Sequence, residues 1–240
     1  MEASAPLLSL VVVTMRPWFL PATRAMLDRQ SYRQVEIVIA LHGHKVSDLP
    51  QEQRQALEGV RAVLELPADW SLGHCLNAAI AEANGEFVAK IDDDDLYGRD
   101  YVAEMIRHLV AGDGDVVGKA EAFFYLEAAG AILLRKPGLS RSRVKFVHGA
   151  TLAFPRVLAR ECPFQDVSNL EDTLFLQDCG ARGLSVYASS RRNFMVVRRA
   201  ATDTHTWTQP DHEMFKMGIL IKEHRHAARA ELLSMIENMK

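Results

Sequence analysis

The 240-residue chain has little that would staple it or hold it in a membrane. Its three cysteines, Cys75, Cys162 and Cys179, lie far apart and form no C-x-x-C pair, which excludes a thiolate zinc site of the usual spacing. So sparse and odd a set suits a reducing compartment. No stretch approaches about 18 uninterrupted apolar residues, so no membrane-spanning helix is expected. Met1 to Ser9 lacks Lys and Arg and runs straight into an apolar segment, so no secretory leader is expected. Charge of one sign is also missing. A formal net charge of -3 gives no global field for nucleic acid or anionic lipid. There is no internal repeat, low-complexity tract or linker. These absences leave a cytoplasmic protein, held near a membrane only through partners. With 48% hydrophobic and 25% charged residues it can bury a core as one domain of residues 1–240.

What is present is an alternation of short apolar runs and helical spacing. Leu8 to Thr14, Val35 to Leu41, Val60 to Leu66 and Glu86 to Ile91 read as strands buried on both faces. Between them, Ala22 to Arg29, Gln51 to Glu58 and Leu72 to Ala83 read as helices, the last closed by Asn84-Gly85. That pattern predicts an α/β fold with a parallel sheet flanked by helices. The second half reads differently. A helix over Asp100 to Val110 and a strand near Asp115 to Gly118 lead into meander strands at Glu121 to Leu126, Ala131 to Leu134, Val144 to Val147 and Ala150 to Phe154. Leu170 to Cys179 is a helix, Leu184 to Ala188 and Phe194 to Arg198 are strands, and Glu213 to Lys240 is one or two C-terminal helices, which pack on the core or pair with another subunit.

The chemistry concentrates in Asp92-Asp93-Asp94-Asp95, directly after the fourth buried-type strand. Four adjacent carboxylates repel one another, and a divalent cation relieves that repulsion. Ligands of open α/β sheets bind beyond the carboxyl ends of the strands. In an extended segment Asp92 and Asp94 point to one side and Asp93 and Asp95 to the other, so the first pair is expected to share the ion. Hard oxygen ligands suit Mg2+ or Mn2+. A solvated acidic turn is the bland alternative. A calcium loop is another, since Asp93, Asp95, Gly98 and Glu104 fall at EF-hand positions one, three, six and twelve, although Tyr97 and Asp100 do not suit it.

Four further segments join the run. Ser9 to Thr14, Asn77 to Val88 and Asp92 to Asp95, followed by Gly149 to Phe154 and Glu171-Asp172, together resemble the family 2 glycosyltransferases of GT-A fold over roughly residues 8 to 207. The resemblance implies a GT-A-type Rossmann-like mixed sheet, a nucleoside-diphosphate sugar donor, a bound Mn2+ or Mg2+, and inversion at the anomeric carbon. It implies a nucleotide-sugar half at 1–118, an acceptor half at 119–210 and a helical segment at 211–240. Asp92 and Asp94 match the D-x-D motif, Asp172 matches the general base with Glu171 as its rival, and His205 matches a late histidine that completes the metal shell or touches the diphosphate. The expected donor contacts are Thr14, Arg16, His42, Asn77, Lys90, Asp92 and Asp93. Trp207 stacks on the acceptor sugar or lies in the core. Arg191, Arg192, Arg198 and Arg199 attract diphosphate or form a solvated face.

One departure stands out. The family usually carries an acidic pair after the second strand, where an aspartate contacts the base; here the sequence reads Ala40-Leu41-His42-Gly43. The resemblance makes a UDP-sugar the default donor and this segment opens dTDP, GDP or CDP, with a glycan or lipid-linked acceptor of bacterial surface polysaccharide. A nucleotidyltransferase is the competing enzyme, but the Gly-rich basic loop it needs after the first strand is missing. A catalytically inactive sugar- or partner-binding domain is the competing non-enzyme.

Overall fold

The computed structural model describes residues 5–200 and 210–239. The first half builds the predicted alternation: β1 (Leu8–Thr14), α1 (Leu20–Asp28), β2 (Val35–His42), α2 (Gln51–Gln55), β3 (Ala62–Leu66), α3 (Leu72–Ala81) and β4 (Phe87–Ile91). The β-branched run Val11-Val12-Val13 suits the middle of a sheet. β1 pairs in parallel with both β2 and β4. Ser71 caps α3, its hydroxyl accepting from the His74 amide at 3.1 Å.

After β4 come β5 (Leu96–Tyr97), α4 (Tyr101–Ala111), β6 (Val116–Gly118), β7 (Ala122–Leu126), β8 (Ala131–Arg135), β9 (Ser142–Val144), β10 (Ala153–Pro155), α5 (Leu158–Glu161), α6 (Glu171–Ala181), β11 (Val186–Ala188) and β12 (Phe194–Arg198). Gly112 ends α4 in the left-handed conformation, φ 69°, that a residue with a Cβ adopts at a cost. Past 210 follow α7 (Asp211–Lys216), β13 (Gly218–Glu223) and α8 (Arg229–Asn238).

Among the described residues the strands form two sheets. An eight-stranded mixed sheet has the order β3-β2-β1-β4-β10-β6-β11-β9, and a five-stranded sheet the order β13-β8-β7-β12-β5. β10 runs antiparallel between β4 and β6. Strands from residues 119–210 thus enter both sheets, and one apolar core runs from Leu10 and Ile39 through Leu96, Phe123 and Leu133 to Ile236. The chain lays β2 and β3 on one side of β1, then returns to place β4 on the other. That reversal is a topological switch point, where an open sheet leaves a crevice beyond the strand ends. Val12 pairs with Ile91, so Thr14, the last residue of β1, and the aspartates that follow β4 lie side by side at one end of the sheet.

Three expectations change. Gly218–Glu223 is an edge strand, antiparallel to β8, and not part of a helix. Its Ile219-Leu220-Ile221 core favours a pleated backbone, and the exposed edge of β8 supplies the partner. Gly149–Thr151 is a single 3-10 turn, so the strand expected from Ala150 starts at Ala153. The strand expected over Val144 to Val147 is β9 at Ser142–Val144, and α8 packs on the core through Leu232, Leu233 and Ile236.

Candidate active site at the carboxyl end of the central strand

The aspartate run is a turn and not an extended segment. It joins β4 of one sheet to β5 of the other, so each end is held by a different layer. The amide of Asp92 donates to the Tyr97 hydroxyl at 2.8 Å, and that hydroxyl donates to the carbonyl of Ala150 at 2.7 Å. Tyr97 is fully buried, and nothing in the sequence pattern marked it as the residue that anchors the run.

The turn re-sorts the carboxylates. Asp92, Asp94 and Asp95 each offer an oxygen within 4.8 Å of the others, while Asp93 turns inward. Asp93 accepts from the Thr14 hydroxyl and from Arg16, and its carbonyl accepts from the Thr23 hydroxyl at 2.9 Å. Burial, opposed by Arg16 and aided by Asp94, pushes the Asp93 carboxyl up to about 6. Alternation along a strand would have put Asp95 beside Asp93, but the turn brings it to Asp92 and Asp94 instead.

Asp95 is nearly inaccessible, and its carboxylate accepts one backbone bond, from Val197 N at 3.1 Å. Burial first, then Asp94 and Asp92, raises its pKa well above the usual range. A carboxylate in that setting gains from a cation, and three oxygens of hard carboxylate donors suit Mg2+ or Mn2+. These three residues therefore fit a divalent ion.

Basic side chains also crowd the turn. Lys90, buried in β4, donates to Asp92 Oδ1 at 2.5 Å. Burial disfavours its charge, but Asp92 and then Glu171 outweigh that and raise its pKa. Arg16 and Arg199 both donate to Asp94 Oδ2, at 2.8 and 2.9 Å. Arg229 of α8 donates to the Asp95 carbonyl at 3.2 Å. So the repulsion within the run is relieved partly by four basic residues. The other arginines expected near diphosphate are used elsewhere: Arg191 pairs with Glu121, Arg198 with Asp211, and Arg192 donates to the Glu237 carbonyl.

Across Lys90 stands the second acidic group. α6 begins with Glu171 and Asp172, directly after Leu170, a non-glycine residue held at φ 65°. Such a conformation stores about 1–3 kcal/mol, and it sets the angle at which the pair meets the sheet. Asp172 Oδ1 accepts from the Thr173 amide at 2.6 Å, and its other oxygen lies against Gly149. A Cβ at position 149 would lie 2.0 Å from that oxygen, so only glycine fits there. Burial, opposed by Lys90 and aided by Asp172, pushes Glu171 up to about 7. Lys90 thus interacts with Asp92, Glu171 and Asp172 together.

Other expected contacts lie differently. Asn77, expected as a donor contact, commits both ends of its amide to the Phe164 backbone, at 2.8 and 3.0 Å. Glu104 faces Lys119 at 2.9 Å and Ser190 at 2.8 Å in the interior, which removes the calcium loop. His42 is buried at the end of β2, and its Nε2 meets no hydrogen-bond partner among the described residues. His205 and Trp207 lie outside the described residues.

Residues 11–151 match the family described as Glycosyl transferase family 2. Among solved structures, S. aureus TarS 1-349 in complex with UDP-GlcNAc is similar at a TM-score of 0.64 and 15% identity, over 88% of this chain and 64% of that one. The mannosyltransferase PcManGT from Pyrobaculum calidifontis, in complex with GDP-Man and Mn2+, is similar at a TM-score of 0.60 and 18% identity, over 85% of this chain and 59% of that one. The chain therefore spans about three fifths of the length of these structures, and the likeness is one of fold. No curated protein matches the chain.

Proposed function

The chain belongs to glycosyl transferase family 2, and on that premise we propose that it moves a sugar, with inversion, from a nucleoside-diphosphate sugar to a hydroxyl of a glycan or lipid-linked acceptor. The observation that carries this reading is the convergence of Asp92, Asp94 and Asp95 at the switch point of the sheet, with Glu171-Asp172 facing them across Lys90. Asp92, Asp94 and Asp95 would hold Mn2+ or Mg2+, which when bound would neutralise charge developing on the leaving diphosphate. Lys90 pairs with Asp92 and adds positive charge where the leaving group departs. Asp172, set by Thr173 and seated on Gly149, accepts the proton of the attacking hydroxyl. Inversion requires that base on the face opposite the leaving group, and a distant segment of chain supplies it.

The base of the donor is read at the end of β2, where the buried His42 offers a ring nitrogen without a partner among the described residues. UDP-GlcNAc and GDP-Man are the donors bound in the two similar structures. An imidazole in place of the family's aspartate leaves UDP the default and keeps GDP and dTDP open. Cytoplasmic synthesis of bacterial surface polysaccharide is the setting this chemistry suits. The direct test is release of nucleotide from UDP-, GDP- and dTDP-sugars with Mn2+. The expected result is metal-dependent release that Asp94→Ala reduces by about a thousandfold, the scale of losing a principal electrostatic group. Equal release by the variant and the parent overturns the assignment.

A further inference from the structure

Arg16 and Arg199 come from opposite ends of the chain and converge on one atom, Oδ2 of Asp94, at 2.8 and 2.9 Å. The same two guanidiniums lie against one ring, that of Phe19, at 5.6 and 4.4 Å from its centroid. Cation–π contact of this kind holds a guanidinium in place as well as attracting it. Asp94 is also one of the three carboxylates that converge for a cation. An ion at the usual 2.0–2.1 Å from that oxygen stands within about 5 Å of both guanidiniums.

Two guanidiniums already occupy Asp94 Oδ2, so a divalent ion added alone competes with both of them for that carboxylate. Guanidiniums also prefer phosphate oxygens, which they grip through two parallel N–H bonds.

We propose that Arg199, with Arg16, is the internal counter-ion of Asp94: the two guanidiniums hold this carboxylate until the diphosphate of the donor draws them off, and only then is it released to the divalent ion. Metal and diphosphate binding are thereby coupled, and the coupling is reciprocal. Phe19 keeps the guanidiniums on Asp94 in the empty site. This inference rests on the nucleoside-diphosphate reading above.

The test is Mn2+ binding by the full chain, read from the free-ion electron paramagnetic resonance signal, with no nucleotide and with saturating UDP or GDP. The wild-type chain binds Mn2+ at least tenfold more tightly with one of the nucleotides than without. Arg199→Gln binds Mn2+ alone about five- to tenfold more tightly than wild type and loses most of that coupling. Phe19→Leu, which leaves every charge in place, shifts both quantities in the same direction, by about twofold. Arg192→Gln, whose partner is the Glu237 carbonyl, changes neither. If Arg199→Gln gains no affinity for Mn2+ alone while Asp94→Asn loses it, the counter-ion role is overturned and the metal site stands. If Arg199→Gln does not fold, unchanged binding by Phe19→Leu overturns the role. Absence of Mn2+ binding by the wild-type chain with either nucleotide overturns the metal reading, and the counter-ion role with it.

Discussion

Asp172 and Glu171 are neighbours in sequence with different surroundings. Asp172 accepts from Thr173 and faces the glycine turn, while Glu171 is buried beside Lys90. On the proposed reading Asp172 is the base, and Asp172→Asn should keep donor binding, measured by calorimetry with UDP and GDP, while transfer falls at least a hundredfold. Full transfer by that variant moves the role to Glu171. Glu171 itself makes a pH prediction. Its folded pKa of about 7 lies above the ordinary glutamate value of 4.5. Between those values the folded chain keeps a proton the unfolded chain has released, so stability falls as pH rises from about 4.5 to about 7. Glu171→Gln stays neutral throughout. Urea unfolding should find it gaining on the parent between pH 5 and pH 8 by on the order of 1–3 kcal/mol. Equal pH slopes in the two proteins would refute the burial argument.

At the scale of elements, the site depends on how two helices are seated. α6 delivers the acid pair from a strained residue, Leu170. α8 delivers Arg229 to the aspartate turn and ties its own end to the sheet, with Asn193 N donating to the Ile236 carbonyl at 3.1 Å and Glu237 accepting from Arg99 N at 2.9 Å. Ile236 is completely buried. Ile236→Ala should cost about 2–5 kcal/mol in chemical denaturation. It should also loosen Arg229, and with it the aspartate turn. The helical reading of the C-terminal segment was right at α8 and wrong at β13. Both stretches are apolar and short, and only the open edge of β8 decides that Gly218–Glu223 pleats. Helix α2 likewise stops at Gln55, since the residues that follow turn to meet β3.

For the whole molecule, the two sheets share one core from Leu10 to Ile236, and the aspartate turn is one of the segments that pass between them. Thermal unfolding followed in the far and near ultraviolet should therefore give coincident transitions. Mn2+ with the preferred nucleoside diphosphate should raise the midpoint, since ligands that bind only the folded chain stabilise it by mass action. Separate transitions for the two signals would show the sheets to be independent units.

Much of this was legible in the residues alone. The order of strands and helices, the parallel first half and the acidic run closing a buried strand follow from hydrophobic periodicity and local composition, and the Glu171-Asp172 pair was marked by its resemblance to the family. Those signals are local, so a chain carries them before it folds. Tertiary structure decided which carboxylates converge and which basic groups meet them. Asp95 joins Asp92 and Asp94 because the run turns between two sheets, and Asp93 leaves because Thr14 and Arg16 are there to receive it. Arg16 and Arg199 reach Asp94 across 78 and 105 residues of sequence. No local pattern encodes a contact at that separation, because it exists only once the switch point has brought the strand ends together.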